Sequence, residues 1–239
     1  MLKILGRTYI FTIKALISSR YIRKKGKGLK INILSRTALL IVLVLVMSCT
    51  TTTTIKSGDI IFRGATQSDL SEAINEVTQT EKATNYTHMG ICSVENDTVF
   101  VYHSDLSKGV VKEPLQLFLK PDDTTTYTAD VYRIKDSTKP QIENAISKAN
   151  KLLGEPYNFT YILEDKGYYC SEYIYELFKE DNVFTLEPMT FKNADTNTFH
   201  NGWITHYKEL GIEIPEGKPG CNPNGMAASE TLVFIKRLQ

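Results

Sequence analysis

Cys170 and the helical pattern that starts on it constrain this chain more than any other stretch. Residues 154–178 run Gly-Glu-Pro-Tyr-Asn-Phe-Thr-Tyr and, after a short polar insert, Tyr-Tyr-Cys-Ser-Glu-Tyr-Ile-Tyr-Glu-Leu-Phe. Tyr173, Ile174, Leu177 and Phe178 fall at i+3, i+4, i+7 and i+8 from Cys170, one apolar face of a helix. Cys170 therefore stands at a helix N-terminus, on the inward face. Free backbone N–H groups and the positive end of the helix dipole favour a thiolate there. A buried thiol is also a common inert core residue, so the position alone leaves both roles open.

The net charge of +1 hides an asymmetry. Residues 1–49 carry 10 Lys or Arg and no acid, which leaves 18 basic and 27 acidic residues in 50–239, a net of −9. An acidic body argues against nucleic acid as a partner. The four cysteines, Cys49, Cys92, Cys170 and Cys221, show no metal-binding spacing, and no metal or other cofactor is expected. Cys92 and Cys221 are expected to stay unpaired with Cys170.

Residues 1–49 read as a targeting segment. Basic residues 23–30 precede the apolar run Ala38–Val46, which is too short to span a membrane and suits a signal-peptide core. Met47-Ser-Cys49 then resembles a bacterial lipoprotein box. The resemblance implies lipidation of Cys49 and a membrane-anchored protein in the cell envelope, facing the periplasm or exterior. An uncleaved anchor is the alternative. Residues 50–56 form a polar tether, and 57–239 the folded domain.

Within that domain, Ser57–Arg63 reads as a turn into a buried strand, and Thr66–Val77 as a helix with Thr66 and Asp69 at capping-box spacing. Strands at 86–94 and 98–103 flank an Asn96-Asp97 turn and make a hairpin. Further expectations are helical turns at 114–120, a strand at 129–134, a helix from Lys139-Pro140 to Gly154, a short helix at 203–210 and a closing strand at 231–236. Strands and helices do not alternate, so the fold class is α+β with a mainly antiparallel sheet packed against the Cys170 helix.

Thiol catalysis needs a base, an orienting group and an oxyanion site. His88 lies in a strand, and Gly90 two residues on leaves that face open. His103 ends the next strand and is placed to meet His88 across the hairpin. Tyr157 offers a hydroxyl to an oxyanion, and Glu172 is a candidate substrate contact or helix-cap acid. His200 and His206 read as surface residues.

Five segments then align in order: Ser-Gly-Asp-Ile-Ile-Phe (57–62), Tyr-Thr-His-Met-Gly-Ile (86–91), Pro-Tyr-Asn-Phe (156–159), Tyr-Cys-Ser-Glu-Tyr (169–173) and Pro-Gly-Cys-Asn-Pro (219–223). Together they resemble the YiiX/YebB-like branch of the NlpC-type papain-like cysteine hydrolases, across roughly 57–236. That branch is circularly permuted, with the histidine strand before the cysteine helix. The resemblance implies Cys170 as nucleophile, His88 as base and Tyr157 as an oxyanion or substrate contact. His103 is the candidate for the third catalytic place, where relatives carry a carboxylate or another short polar residue on the strand after the histidine. The implied activity is cleavage of an amide in a peptide or small molecule, with cell-wall peptides as one class. A lipid-directed thioesterase or acyltransferase, and a non-catalytic binding module, remain the alternatives.

Overall fold

A computed structural model describes residues 54–239, apart from 66–68 and 123. The expected signal segment, Cys49, most of the expected tether and the Thr66 end of the expected capping box lie outside the described residues.

In chain order the first half holds β1 (Ile60–Gly64), α1 (Asp69–Val77), β2 (His88–Glu95), β3 (Thr98–Asp105), β4 (Gly109–Pro114), α2 (Leu115–Leu119) and β5 (Thr128–Ile134). The second half holds α3 (Lys139–Lys151), α4 (Cys170–Phe178), β6 (Glu187–Pro188), α5 (Asn201–Leu210), β7 (Pro219–Gly220), α6 (Pro223–Ala228) and β8 (Leu232–Arg237). Six strands make one antiparallel sheet in the order β4-β3-β2-β1-β5-β8. The class is α+β.

The period-2 alternation of the strands sorts the core into two layers. Ile60, Phe62, Met89, Ile91 and Tyr102 pack on the face that meets Tyr173, Ile174 and Leu177 of α4. Ile61, Cys92, Val101 and Val131 form the opposite face, covered by Phe118 and Leu119 of α2. Each such side chain contributes about 1.5–3 kcal/mol through burial. Both faces are covered, so the strands read as nearly continuous apolar runs.

Local chemistry sets the turns. Asn96 and Asp97 both take positive φ, 48° and 63°, the backbone that a two-residue hairpin turn requires. Helix α3 opens on a capping box that its Pro140 does not reveal: Thr138 Oγ1 accepts from the Gln141 N–H, and Gln141 Oε1 accepts from the Thr138 N–H.

Three features depart from expectation. Helix α6 and the two-residue strands β6 and β7 are too short to leave a periodic signal. Asn222 starts α6 by accepting from the Gly225 N–H at 2.7 Å. His200 and His206 are not free surface residues. His200 Nδ1 caps α5 by accepting from the Gly202 N–H at 3.0 Å, and the His206 ring is hydrogen-bonded to the Phe159 carbonyl at 2.8 Å.

Asn224 of α6 ties distant segments together from a fully buried position. Its Oδ1 accepts from the Tyr86 N–H at 2.8 Å and the Thr84 hydroxyl at 2.9 Å, while its Nδ2 donates to Thr78 Oγ1 at 2.8 Å. Asn224→Ala strips partners from three buried or half-buried groups. It should cost about 2–4 kcal/mol in urea unfolding, far above the cost of a typical surface substitution.

Candidate active site

Cys170 is the first residue of α4, and its N-terminal neighbour Tyr169 is extended, with φ −79° and ψ 166°. The helix end abuts the start of β2. The Cys170 sulfur lies 4.0 Å from the carbonyl oxygen of Thr87, the residue before His88. Burial pushes the thiol up to about 11, while the backbone N–H groups of Ser171 and Met89 and the charge of Arg63 pull the other way. The helix-end help expected for a thiolate is present, but desolvation outweighs it. The resting group is a neutral thiol.

Strands β2 and β3 bring the two histidines together. His88 Nε2 and His103 Nδ1 are 2.9 Å apart, with rings nearly perpendicular at 86°. Both rings pack on Phe118 of α2. Gly90 makes the approach possible. A Cβ there would stand 2.5 Å from Val101 Cγ1, 2.9 Å from the Tyr102 oxygen and 3.1 Å from His103 Cβ.

His103 is 1% exposed and its Nε2 lies 3.2 Å from Glu113 Oε2 on β4. The hydrogen bond from His103 and a second from Lys108 hold the Glu113 carboxyl down at about 2, so it is ionised and accepts. An accepting Glu113 puts the His103 proton on Nε2 and leaves Nδ1 with a lone pair. His103 then accepts from His88 Nε2–H, and His88 keeps its lone pair on Nδ1. The chain of three side chains thus selects one tautomer of His88. Desolvation, reinforced by the charge of Arg63, lowers the His88 pKa well below its usual value, so the ring is neutral.

Glu113 is a member that the sequence pattern misses. The acid sits on the strand after His103, and the register pairs His103 with Val111 and Val101 with Glu113. Glu113 therefore reaches His103 diagonally on the same face. The Lys112-Glu113 step after Val110-Val111, at a hairpin distance from His103, is the signal available in hindsight.

Tyr157 and Tyr161 are buried with their hydroxyls 3.3 Å apart. Burial raises the Tyr157 pKa well above normal, and the backbone amide of Cys170 opposes that rise, so the phenol stands beside the helix N-terminus. Glu172 has a different surrounding. It accepts from the Tyr169 N–H at 3.0 Å and from Asn158 Nδ2 at 3.2 Å, closing the first turn of its own helix. It lines a recess with Glu155, Asp165 and Tyr168, and is not among the residues lining the cavity that holds Cys170.

Two cavities meet at the site. One, of about 510 Å³, is lined by Cys170 with Phe184, Met189, Phe191, Trp203 and Met226. The other, of about 300 Å³, is lined by His88 with Arg63, Asp105, Leu106 and Tyr127. Ile74, Thr87, Tyr157 and Tyr161 line both and form the wall between them. Cys92, Cys170 and Cys221 are all free thiols. Cys221 also borders the larger cavity, where burial pushes it up to about 12. Among the described residues, no group of three or more His, Cys, Asp or Glu side chains is arranged to hold a metal ion.

A family model described as a permuted papain-like amidase enzyme of the YaeF/YiiX, C92 family matches residues 54–236. The chain belongs to this permuted papain-like amidase family. The YiiX protein of Escherichia coli strain K12, described as uncharacterized, is 28% identical over 126 residues, which is 52% of this chain and 57% of that protein. The chain thus matches little more than half the length of that relative. A crystal structure of the metalloprotein yiiX from Escherichia coli O157:H7 matches with a TM-score of 0.62 at 22% identity, covering 76% of this chain and 97% of that one. That likeness shows the fold.

Glu172 gives this protein a pH signature. Desolvation raises its carboxyl from the usual 4.5 to about 7, so the fold favours the protonated form. That contribution is complete below the unfolded value and is lost as pH rises through the folded one. Unfolding free energy should therefore fall by about 2–3 kcal/mol more between pH 4.5 and 7.5 in wild type than in Glu172→Gln. Glutamine still accepts the Tyr169 N–H. Denaturant titrations of both proteins across that window check it.

Proposed function

We propose that this chain is an envelope-anchored cysteine hydrolase that cleaves an amide through a thioester on Cys170. The observation that carries the reading is the Glu113–His103–His88 chain ending at the strand start against which the Cys170 helix abuts. His88 Nδ1 takes the thiol proton as the sulfur attacks the carbonyl carbon and an S–C bond forms. The Tyr157 hydroxyl and the Cys170 backbone N–H receive the oxyanion. Collapse breaks the C–N bond, and His88 passes its proton to the leaving nitrogen. Water then attacks the thioester, its proton going by way of His88 to the departing sulfur, and a carboxylic acid leaves. With a neutral thiol and a neutral imidazole at rest, the proton moves during attack rather than before it.

The family assignment supports an amide as the bond cut. The apolar, aromatic lining beside Cys170 supports an apolar acyl group on the nucleophile side. The same lining favours a second reading, a thioesterase or acyltransferase acting on lipids. A non-catalytic binding module predicts no covalent chemistry at Cys170 at all. The solved relative is described as a metalloprotein. In this chain the facing nitrogens of His88 and His103 bond each other and the remaining His103 nitrogen bonds Glu113, so the donor set does not fit a metal and no step runs through one.

Intact-mass measurement with an electrophilic acyl probe tests the mechanism. Wild type should gain one acyl group at Cys170, and Cys170→Ala none. His88→Ala should react only at a background rate. His103→Ala should slow labelling by about 10²-fold and Glu113→Gln by about tenfold, the cost of losing the fixed tautomer. Equal rates for wild type and His103→Ala, or preferential labelling of Cys221, would remove the proposed relay.

The anchor rests on the basic run, the short apolar core and Met47-Ser48-Cys49. Cys49→Ala should release the protein from membranes or leave an unprocessed precursor. A wild-type mass without acyl chains would rule the lipid out.

A further inference from the structure

Arg63 is a buried cation with no acidic partner in hydrogen-bond contact among the described residues. It is 8% exposed and stands opposite His88 in the β1–β2 register. Its guanidinium lies 4.8 Å from the ring centres of both Phe118 and Tyr127. Its Nη1 donates to the Phe118 carbonyl, its one hydrogen-bond acceptor among the described residues. Asp105 and Glu113 act on it only through space, and desolvation lowers its pKa. A guanidinium carries five N–H donors in a planar fork, and burying it without a carboxylate is costly. Two aromatic rings fix the fork where it lines the 300 Å³ recess beside His88.

The mechanism says which part of the substrate enters that recess. The acyl group ends on sulfur, so it occupies the cavity that Cys170 lines. The leaving nitrogen takes its proton from His88, so it departs through the recess that His88 lines. We propose that this recess is a leaving-group site for an amine bearing a carboxylate, an amino acid or the terminal residue of a short peptide, with Arg63 binding the carboxylate. The inference rests on the Cys170–His88 reading. The substrate class is then an N-acyl amino acid or N-acyl peptide with an apolar acyl group.

Asp105 lines the same recess and gives it a second charge. One of its oxygens already accepts from the Ser107 N–H and hydroxyl and the Lys108 N–H, at 2.9, 2.7 and 3.2 Å. Burial raises its carboxyl, but hydrogen bonds from Ser107 and the charge of Lys108 outweigh that and keep it below its usual range. One fixed cation and one fixed anion match the released product, which carries a carboxylate and, once protonated, an ammonium. The domain as a whole is acidic, at −9 over residues 50–239, so attraction of an anion has to be local.

The test uses N-octanoylglycine and N-octanoylglycinamide, which share an acyl chain and differ in the carboxylate. Calorimetry on the Cys170→Ala protein prevents turnover and reads binding directly. The acid should bind at least tenfold more tightly than the amide. The difference should vanish in Cys170→Ala/Arg63→Met and survive in part in Cys170→Ala/Arg63→Lys, which keeps the charge but not the fork. Equal binding of acid and amide with Arg63 in place, or no binding of either, overturns the proposal and leaves Arg63 as a stacked core residue. Because the comparison within the Arg63 protein decides it, misfolding of a variant does not. Loss of the hydrolase reading shows separately, as absent acyl labelling of Cys170 in wild type.

Discussion

Strands β2 and β3 come closer at Gly90 than any side chain there would permit. Three atoms from β3 fill the space a Cβ would need. That closeness lets the His103 ring cross to His88, and with it the whole polar chain back to Glu113 and Lys108. A glycine in mid-strand normally weakens a sheet. Here it costs little, because strands on both sides and packed faces above and below hold β2 in place. The same missing side chain thus serves the hairpin and the imidazole pair at once.

Burial governs the electrostatics of the site. It pushes Cys170 and Tyr157 towards their protonated forms and His88 towards its neutral form. The backbone amides of Ser171 and Met89 and the charge of Arg63 oppose part of that cost at the thiol. The site at rest is a set of neutral reactants in a buried setting, with the ionised Glu113 at the far end of the histidine pair. Charge created during attack on a carbonyl would meet fixed donors rather than mobile water.

The parts of this arrangement legible in the sequence are those written in local periodicity. The apolar face after Cys170, the Asn96-Asp97 hairpin and the spacing of His88 and His103 each follow from neighbours a few residues apart, and all stand where those patterns place them. Glu113 is not legible, because it reaches His103 from a third strand whose register no local pattern sets. Arg63 looks like the end of a strand until α2 and Tyr127 close around it. Glu172 sits in a conspicuous motif, yet its hydrogen bonds go to the start of its own helix and to Asn158 in the preceding loop. His200 and His206 look like surface residues in the sequence because their hydrogen-bond partners, the Gly202 N–H and the Phe159 carbonyl, are backbone groups without a sequence signature, and Glu76 reaches His200 from a helix far upstream.

The contacts of helix α6 and the turn before it bear on when the site exists. Asn224 fixes the Tyr86 N–H two residues before His88, and the Cys221 carbonyl accepts from Ser171 beside Cys170. Both halves of the site are therefore pinned by residues 221–224, which lie far downstream of either half in the chain. A growing polypeptide has neither pin until that segment has been made. The two hydrogen bonds that hold the strand start and the helix end therefore form late in synthesis, after the sheet strands β1 to β5 and helix α4 have emerged.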